Sequence, residues 1–194
     1  MPLEQEFTAI DKGLHDLKSF DCGKGTMNEF LVRYAIKHGK LGLSRSYVLT
    51  EKHTSPKKTI VAYYTLAVST VTRAELPTTQ SLPGYPVPVI ILARLAVDKR
   101  HQGIGLGAKS LIYALRHTSR LSASGLPAYG LIVDVLDKSA LAFYQCFEMF
   151  IPFTDNPMRL FVPMKTLDVI TAPSIGLDNA LVKKELANYD ESYL

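Results

Sequence analysis

The chain has 194 residues, 47% of them hydrophobic and 21% charged, the proportions of a globular domain of ordinary size rather than of a disordered or fibrous chain. Its formal net charge of +4 is mild; it permits a phosphate or nucleic-acid partner without requiring one. The opening MPLEQEFTAIDKG lacks the basic and apolar regions of a secretion signal, Arg94 breaks the longest apolar run, and Cys22 and Cys146 make neither a disulfide framework nor a zinc set, so a cytoplasmic protein without a membrane span is expected.

In chain order, Phe7 to Ile10 reads as a short first strand, and Leu14 to Cys22 leads into Gly23-Lys24-Gly25. Thr26-Met27-Asn28-Glu29 has the spacing of a capping box, with the Thr26 hydroxyl and the Glu29 carboxylate each expected to accept an orphan N–H. A helix should run from there to about Lys40, with Phe30, Leu31, Tyr34 and Ala35 on its apolar face and Arg33, Lys37, His38 and Lys40 on a basic one. Ser46 to Thr50 and Ile60 to Val71 read as the strands of a hairpin closed by HTSPKK. Thr72 to Pro88 carries Pro77, Pro83, Pro86 and Pro88, a density that suits a long surface loop. A buried strand follows through about Val97, then a helix with apolar positions 108, 111, 112 and 115.

After the break SASGLP, Tyr129 to Val135 is a strand, and Asp137 caps a helix to about Cys146. Arg159 to Pro163 is a last strand; from Thr166 onward the pattern changes, TAPSIGLDNA being loop-like and Leu181 to Tyr189 at most a short amphipathic helix. Helices interrupt a mixed, mostly antiparallel set of strands, so the expected fold class is a three-layer α/β domain with helices on both faces of its sheet.

The most informative stretch is Asp98-Lys99-Arg100-His101-Gln102-Gly103-Ile104-Gly105-Leu106-Gly107-Ala108, between that buried strand and its helix. A helix entered through glycines exposes unpaired N–H groups at its positive end with no Cβ in the way, which suits phosphates. Gly-Lys-Ser/Thr is absent, and the glycine spacing is not G-x-G-x-x-G, so neither a Walker loop nor a Rossmann turn fits. What remains, Gln102-x-x-Gly105-x-Gly107 with Arg100 two residues ahead, resembles the pyrophosphate loop of the GCN5-related N-acetyltransferases, the GNAT superfamily. The competing reading is a glycine-rich helix entry with no ligand.

Separated motifs extend the resemblance. Phe20-Asp21-Cys22-Gly23, Met27-Asn28-Glu29-Phe30-Leu31, Ser44-Arg45-Ser46-Tyr47-Val48, Ala62-Tyr63-Tyr64-Thr65-Leu66, the string Val87 to Val97 and Phe143-Tyr144 are similar to the GNAT toxins of type II toxin–antitoxin modules. The resemblance covers roughly 7 to 164, which sets a GNAT domain over 1–165 and an extension over 166–194. It implies an acetyl-CoA-dependent toxin that acetylates the α-amine of the amino acid on charged tRNA, a ribbon-helix-helix antitoxin and a homodimer. Carried over by position, Leu95, Ala96 and Val97 would meet the pantetheine arm. Gln102, Gly103, Ile104, Gly105, Leu106, Gly107 and Ala108, with Arg100, would hold the pyrophosphate, and Tyr144 would stand near the thioester sulfur. Two departures are Glu148-Met149-Phe150 where the family ends its tyrosine helix in Gly-Phe, and Asp137 where many members carry Asn.

A tyrosine is protonated at neutral pH and can donate to a departing thiolate, while an α-amine of pKa about 7.7 to 8.0 needs no strong base. The competing role for Tyr144 is a core aromatic beside Phe143 and Phe147. Arg33, Lys37, Lys40, Arg73 and Arg94 are the tRNA-binding candidates, with simple solubility as their alternative. The five histidines share no ligand spacing, so no metal is expected. Other amines, of proteins or small molecules, and an idle CoA- or nucleic-acid-binding module are the alternative functions.

Overall fold

A computed structural model describes residues 2–52 and 56–171. The expected loop and short helix beyond Thr171 therefore lie outside the described residues, as do positions 53–55 of the HTSPKK turn. The described chain forms two compact units, one from the residues up to Ala67 with Ala93–Ala114, the other from Val68–Leu92 with the residues from Leu115 onward.

The first unit holds β1 (Thr8–Ala9), β2 (His15–Asp16), α1 (Gly25–Glu29), a π-helical turn (Phe30–Tyr34), α2 (Ala35–Lys40) and β3 (Arg45–Thr50). It also holds most of β4 (Lys58–Val71), the end of β5 (Val87–Val97) and the start of α3 (Leu106–Ala123). The expected hairpin is present: β3 and β4 pair antiparallel from Arg45↔Leu66 to Leu49↔Ala62, and then shift to Thr50↔Ile60. That shift leaves Val61 as an extra residue, a bulge that reverses the facing of the residues beyond it. Ile60 and Tyr63 consequently share one cluster with Val48, Ala96, Phe30, Leu31 and Ala35. Leu49, Val61 and Ala62 face a second cluster with Val97 and Leu106. In this unit helices cover both faces of the strands.

Two local expectations fail here for physical reasons. The capping box does not form: α1 starts at Gly25, its N-cap Lys24 makes no side-chain capping bond, and Thr26 lies inside the helix. Asn28 organises the entry instead, accepting from Cys22 N at 3.0 Å and donating to Asp21 Oδ1 at 2.8 Å, while Glu29 turns to Arg33 at 3.1 Å. The π turn adds a residue to the helical repeat, so Phe30, Leu31 and Ala35 are buried as expected but Tyr34 is rotated out and exposed.

The second unit holds the end of β4, the proline-rich loop, the start of β5, the rest of α3, β6 (Gly130–Asp134), α4 (Lys138–Gln145), β7 (Ile151–Pro152), β8 (Arg159–Pro163) and α5 (Met164–Thr171). The sheet order is β1-β3-β4-β5-β6-β8-β7. The named pairings are mixed and mostly antiparallel, as expected, with β2–β4 and β5–β6 parallel. The β5–β6 register is confined to Ile90↔Leu131 and Ile91↔Ile132. Pro88, expected in the loop, belongs to β5; a proline is tolerated near the first residue of a strand, and its carbonyl accepts from Tyr129 N at 2.8 Å.

Val71, Leu76, Val87, Val89, Ile132, Phe153 and Phe161 form this unit's core. The Tyr129 ring stacks on Phe161 at 5.8 Å, and its hydroxyl lies 3.0 Å from Thr78 Oγ1, fastening the proline-rich loop. α5 runs across position 165 and buries Leu167 completely. Gly130 in β6 sits where a Cβ would come 2.4 Å from Val162 O and 2.5 Å from the Phe161 ring. Gly130→Ala must therefore push two strands apart. It is expected to destabilise the fold by about 2–3 kcal/mol, read as a melting temperature lower by roughly 5 °C or more; an unchanged melting temperature would refute this.

Candidate active site

β5 ends in Ala96-Val97, and Asp98, directly after it, is completely buried. Its carboxylate accepts from Asp21 N at 3.0 Å, Arg100 N at 3.0 Å, Arg100 Nε at 2.8 Å and Arg100 Nη2 at 2.9 Å. Burial raises its pKa, but the Arg100 guanidinium and the two amides outweigh this and hold it below the ordinary carboxylate value. The residue thereby caps the 3-10 turn Lys99–His101 and ties it to the Phe20–Gly23 loop. Lys99 strengthens the tie: its N–H donates to Asp21 O at 2.8 Å, and its Nζ lies 2.6 Å from Asp21 Oδ2. Lys99, with the Gly23 and Asn28 donors, holds the Asp21 carboxyl well below the ordinary range.

The glycines follow at once. Gly103 and Gly105 have φ of 77° and 78°, the left-handed region that side chains other than glycine's disfavour. α3 begins at Leu106, earlier than expected, so Gly107 and Ala108 lie in its first turn. The first bond to the helix from the loop is Lys109 N to Gly105 O at 3.1 Å. Among the described residues, the N–H groups from Gly103 to Ala108 have no hydrogen-bond acceptor. Beyond Gly105 a Cβ would meet nothing within 4 Å. A run of unpaired amides at a helix N-terminus, with open space in front, fits the pyrophosphate of acetyl-CoA.

The side chains around this turn have other duties than the sequence suggests. Arg100, expected to assist the pyrophosphate, is directed to Asp98 and to Ser19 O. The Gln102 amide donates to Val97 O at 2.9 Å and Cys22 O at 3.2 Å, which leaves its main chain for a ligand. Motif spacing does not single out Asp98; an acidic residue between a buried strand and a polar turn is the signal the sequence offers for it.

Tyr144 occupies the last turn of α4, whose N-cap Asp137 accepts from Ala140 N at 2.9 Å as expected. The ring is buried, edge-on to Phe143 at 5.1 Å and to Phe150 at 5.2 Å. Burial pushes the phenol well above its ordinary pKa, and its hydroxyl makes no hydrogen bond among the described residues. Glu148 does no harm to the helix exit. The chain leaves α4 through successive turns, Phe147 N to Tyr144 O and Phe150 N to Phe147 O, with no non-glycine residue at positive φ, so the glycine that stops a left-handed exit is not required.

Of the basic candidates, Lys37, Lys40 and Arg73 are exposed, and Arg33 is exposed with Glu29 as its partner. Arg94 is half-buried: its guanidinium stacks 5.0 Å above the Phe30 ring, and its Nε is buried without a hydrogen-bond partner.

The sheet and the amide-lined turn define the class: a GNAT acetyltransferase that uses acetyl-CoA. No family model matches the chain. It is 36% identical over 153 residues to the tRNA-acetylating toxin of Mycobacterium tuberculosis, covering 77% of this chain and 87% of that one, and it therefore belongs to the family of tRNA-acetylating GNAT toxins. Among solved structures, it superposes on a tyrosine-to-phenylalanine mutant of KacT with TM-score 0.79 and 29% identity, covering 88% of this chain and 99% of the other. For AtaT complexed with acetyl-methionyl-tRNAfMet the TM-score is 0.76 and the identity 31%, covering 87% and 98%. Two further similar structures, each with TM-score 0.74, are AtaTR bound with acetyl-CoA and an AtaT mutant bound to the C-terminus of the antitoxin AtaR.

Proposed function

We propose that this chain moves the acetyl group of acetyl-CoA to the α-amine of the amino acid on a charged tRNA, and so blocks translation. The observation that carries the reading is the unpaired amide run of the glycine turn, in a chain similar to a tRNA-acetylating toxin. The AtaT complex with acetyl-methionyl-tRNAfMet supports the acceptor. When bound, acetyl-CoA supplies an activated acetyl thioester. The amides from Gly103 to Ala108 hold its pyrophosphate, and backbone groups of Leu95, Ala96 and Val97 hold the pantetheine arm. Gln102 and Arg100 act by shaping the turn. The Tyr144 hydroxyl holds the proton delivered to the leaving sulfur. Burial weakens the phenol as an acid, but apolar surroundings disfavour a thiolate as well, so that the two effects oppose one another. The acceptor amine, with a pKa of about 7.7 to 8.0, reaches its neutral form without a dedicated base. Transfer of labelled acetyl to charged tRNA, compared with uncharged tRNA, free amino acids and protein amines, tests the whole reading.

In this reading Arg33, Lys37, Lys40, Arg73 and Arg94 meet the tRNA phosphates. Replacing Arg33 and Lys37 by Glu is expected to weaken charged-tRNA use and to lower the steepness of its salt dependence by about two counterions, with acetyl-CoA affinity unchanged. An unaltered salt slope would remove this helix from the tRNA surface.

The reading also includes a ribbon-helix-helix antitoxin, a homodimer, a cytoplasmic location, and a catalytic domain over 1–165 with 166–194 as its extension. An AtaT structure with the C-terminus of its antitoxin supports an antitoxin partner. No helix of the described residues is long and apolar enough to cross a membrane. Growth arrest on expression without a neighbouring antitoxin gene, and the solution mass, test these points.

A further inference from the structure

The basic helix of the first unit carries a line of aromatic rings that the reading above leaves unused. Its inner end is Arg94 on β5, directly before Leu95, whose guanidinium stacks 5.0 Å over the ring of buried Phe30. Phe30 meets the His38 ring edge-on at 5.6 Å, and His38 in turn lies 5.8 Å from the Tyr34 ring, tilted by 50°. Tyr34, the outer end, is 41% exposed. One cation and three rings thus run without a break from the strand assigned to the pantetheine arm to the surface of the helix.

The exposure of Tyr34 is built into the backbone. A regular helix would set its ring on the apolar face with Phe30, Leu31 and Ala35, which pack into the core. The π turn Phe30–Tyr34 inserts a residue and presents the ring outward; such insertions are rare and recur at functional sites. The surroundings are basic. From Gly25 to Lys40 the acid is Glu29 alone, and it is paired with Arg33 at 3.1 Å, while Lys37 and Lys40 are exposed. An open aromatic face among cations suits unpaired nucleotides, whose bases stack on the ring while the cations meet the phosphates. Bases inside a double helix are stacked on one another and cannot use it.

We propose that Tyr34, backed by His38 and Phe30, is a stacking platform for the unpaired bases at the 3′ end of charged tRNA, the end that bears the amino acid. The proposal rests on the reading of charged tRNA as the acceptor, and it names the part of the acceptor that this surface takes. Arg94 stands at the inner end, where its buried Nε–H, which no acceptor among the described residues takes, is left for the terminal nucleotide.

Kinetics of acetyl transfer to charged tRNA by the full chain test it, together with titrations of a short single-stranded oligoribonucleotide and of a duplex of the same sequence. Thermal melts check folding. Tyr34→Ala is expected to raise KM for charged tRNA about tenfold, the size of one lost base–aromatic stack, and to weaken single-strand binding by as much. The kcat, the acetyl-CoA affinity, duplex binding and the steepness of the salt dependence should not move, because the ring holds no phosphate. Tyr34→Phe keeps the stacking face and should behave as wild type; Tyr34→Leu, apolar but without a π face, should behave as Tyr34→Ala. A merely structural role predicts instead a lower melting temperature with kcat and acetyl-CoA affinity falling alongside KM. That pattern, a wild-type KM in Tyr34→Ala, or Tyr34→Leu as active as Tyr34→Phe would overturn the proposal. So would a solution mass that falls in Tyr34→Ala, since the ring would then pack against a second copy of the chain. Should Tyr34→Ala fail to fold, the comparison of Tyr34→Phe with Tyr34→Leu decides. Wild type that transfers no acetyl group to charged tRNA would overturn the reading of the acceptor itself, a result separate from the single-strand titration.

Discussion

Tyr144→Phe is expected to lower single-turnover acetyl transfer by about 10²-fold or more, the usual contribution of a positioned general acid, while the protein stays folded. The aromatic contacts with Phe143 and Phe150 survive the substitution. The lost hydroxyl has no hydrogen-bond partner among the described residues, so its removal should leave the melting temperature unchanged or raise it slightly. Acetyl-CoA affinity should change little. The pH dependence carries a second signature. Burial raises the phenol pKa above its ordinary value of 10, so Tyr144 keeps its proton through the neutral and mildly alkaline range. At saturating substrates the wild-type rate should climb as the acceptor amine deprotonates near pH 8 and show no alkaline fall until above about pH 10. Phe at this position with a wild-type rate per folded molecule would make Tyr144 a core aromatic and leave the leaving thiolate to take its proton from water or another residue.

Gly105→Glu is expected to abolish acetyl-CoA binding outright. Two independent costs act on the same atom. At φ of 78° any side chain strains the backbone by about 1–2 kcal/mol, which tends to flatten the turn and redirect the amides around it. The new carboxylate would also project into the open space beyond Gly105, against the pyrophosphate of the proposed cofactor. Gly105→Ala separates the two, since it carries the strain without the charge, and should weaken binding less. Because the protein's own atoms leave that space free, the melting temperature of ligand-free Gly105→Glu should fall only by the strain. Calorimetry showing equal affinity in wild type and Gly105→Glu would move the cofactor elsewhere.

Much of the architecture is legible in residue order. β8 spans Arg159–Pro163 as read from the sequence, Asp137 caps α4, and β3 and β4 form the hairpin, because each depends on a local pattern of alternation or on one capping oxygen. The misses share a cause as well. Thr26 and Glu29 have the spacing of a capping box, but Asn28, reaching Asp21 and Cys22, decides how that helix begins. Tyr34 fits the apolar face of a regular helix and is expelled by one π turn, which no periodicity announces. β7 and α5, not anticipated, owe their existence to packing on β8 and to a buried Leu167.

At the candidate site the division runs by range along the chain. Spacing alone determines that a buried strand gives way to glycines and then to a helix, and hence where a candidate anion site lies, since left-handed φ and orphan amides are properties of the local backbone. It also supplies the order of motifs that marks the toxin family. Partner choice is a different matter, because a side chain takes whatever donor or acceptor the fold brings within about 3 Å. Only the tertiary structure turns Arg100 to Asp98, Gln102 to the carbonyls of Val97 and Cys22, and His101 to Glu51, fifty positions earlier in the chain. The glycine turn is therefore encoded locally, while the side chains that shape it come from contacts between distant segments.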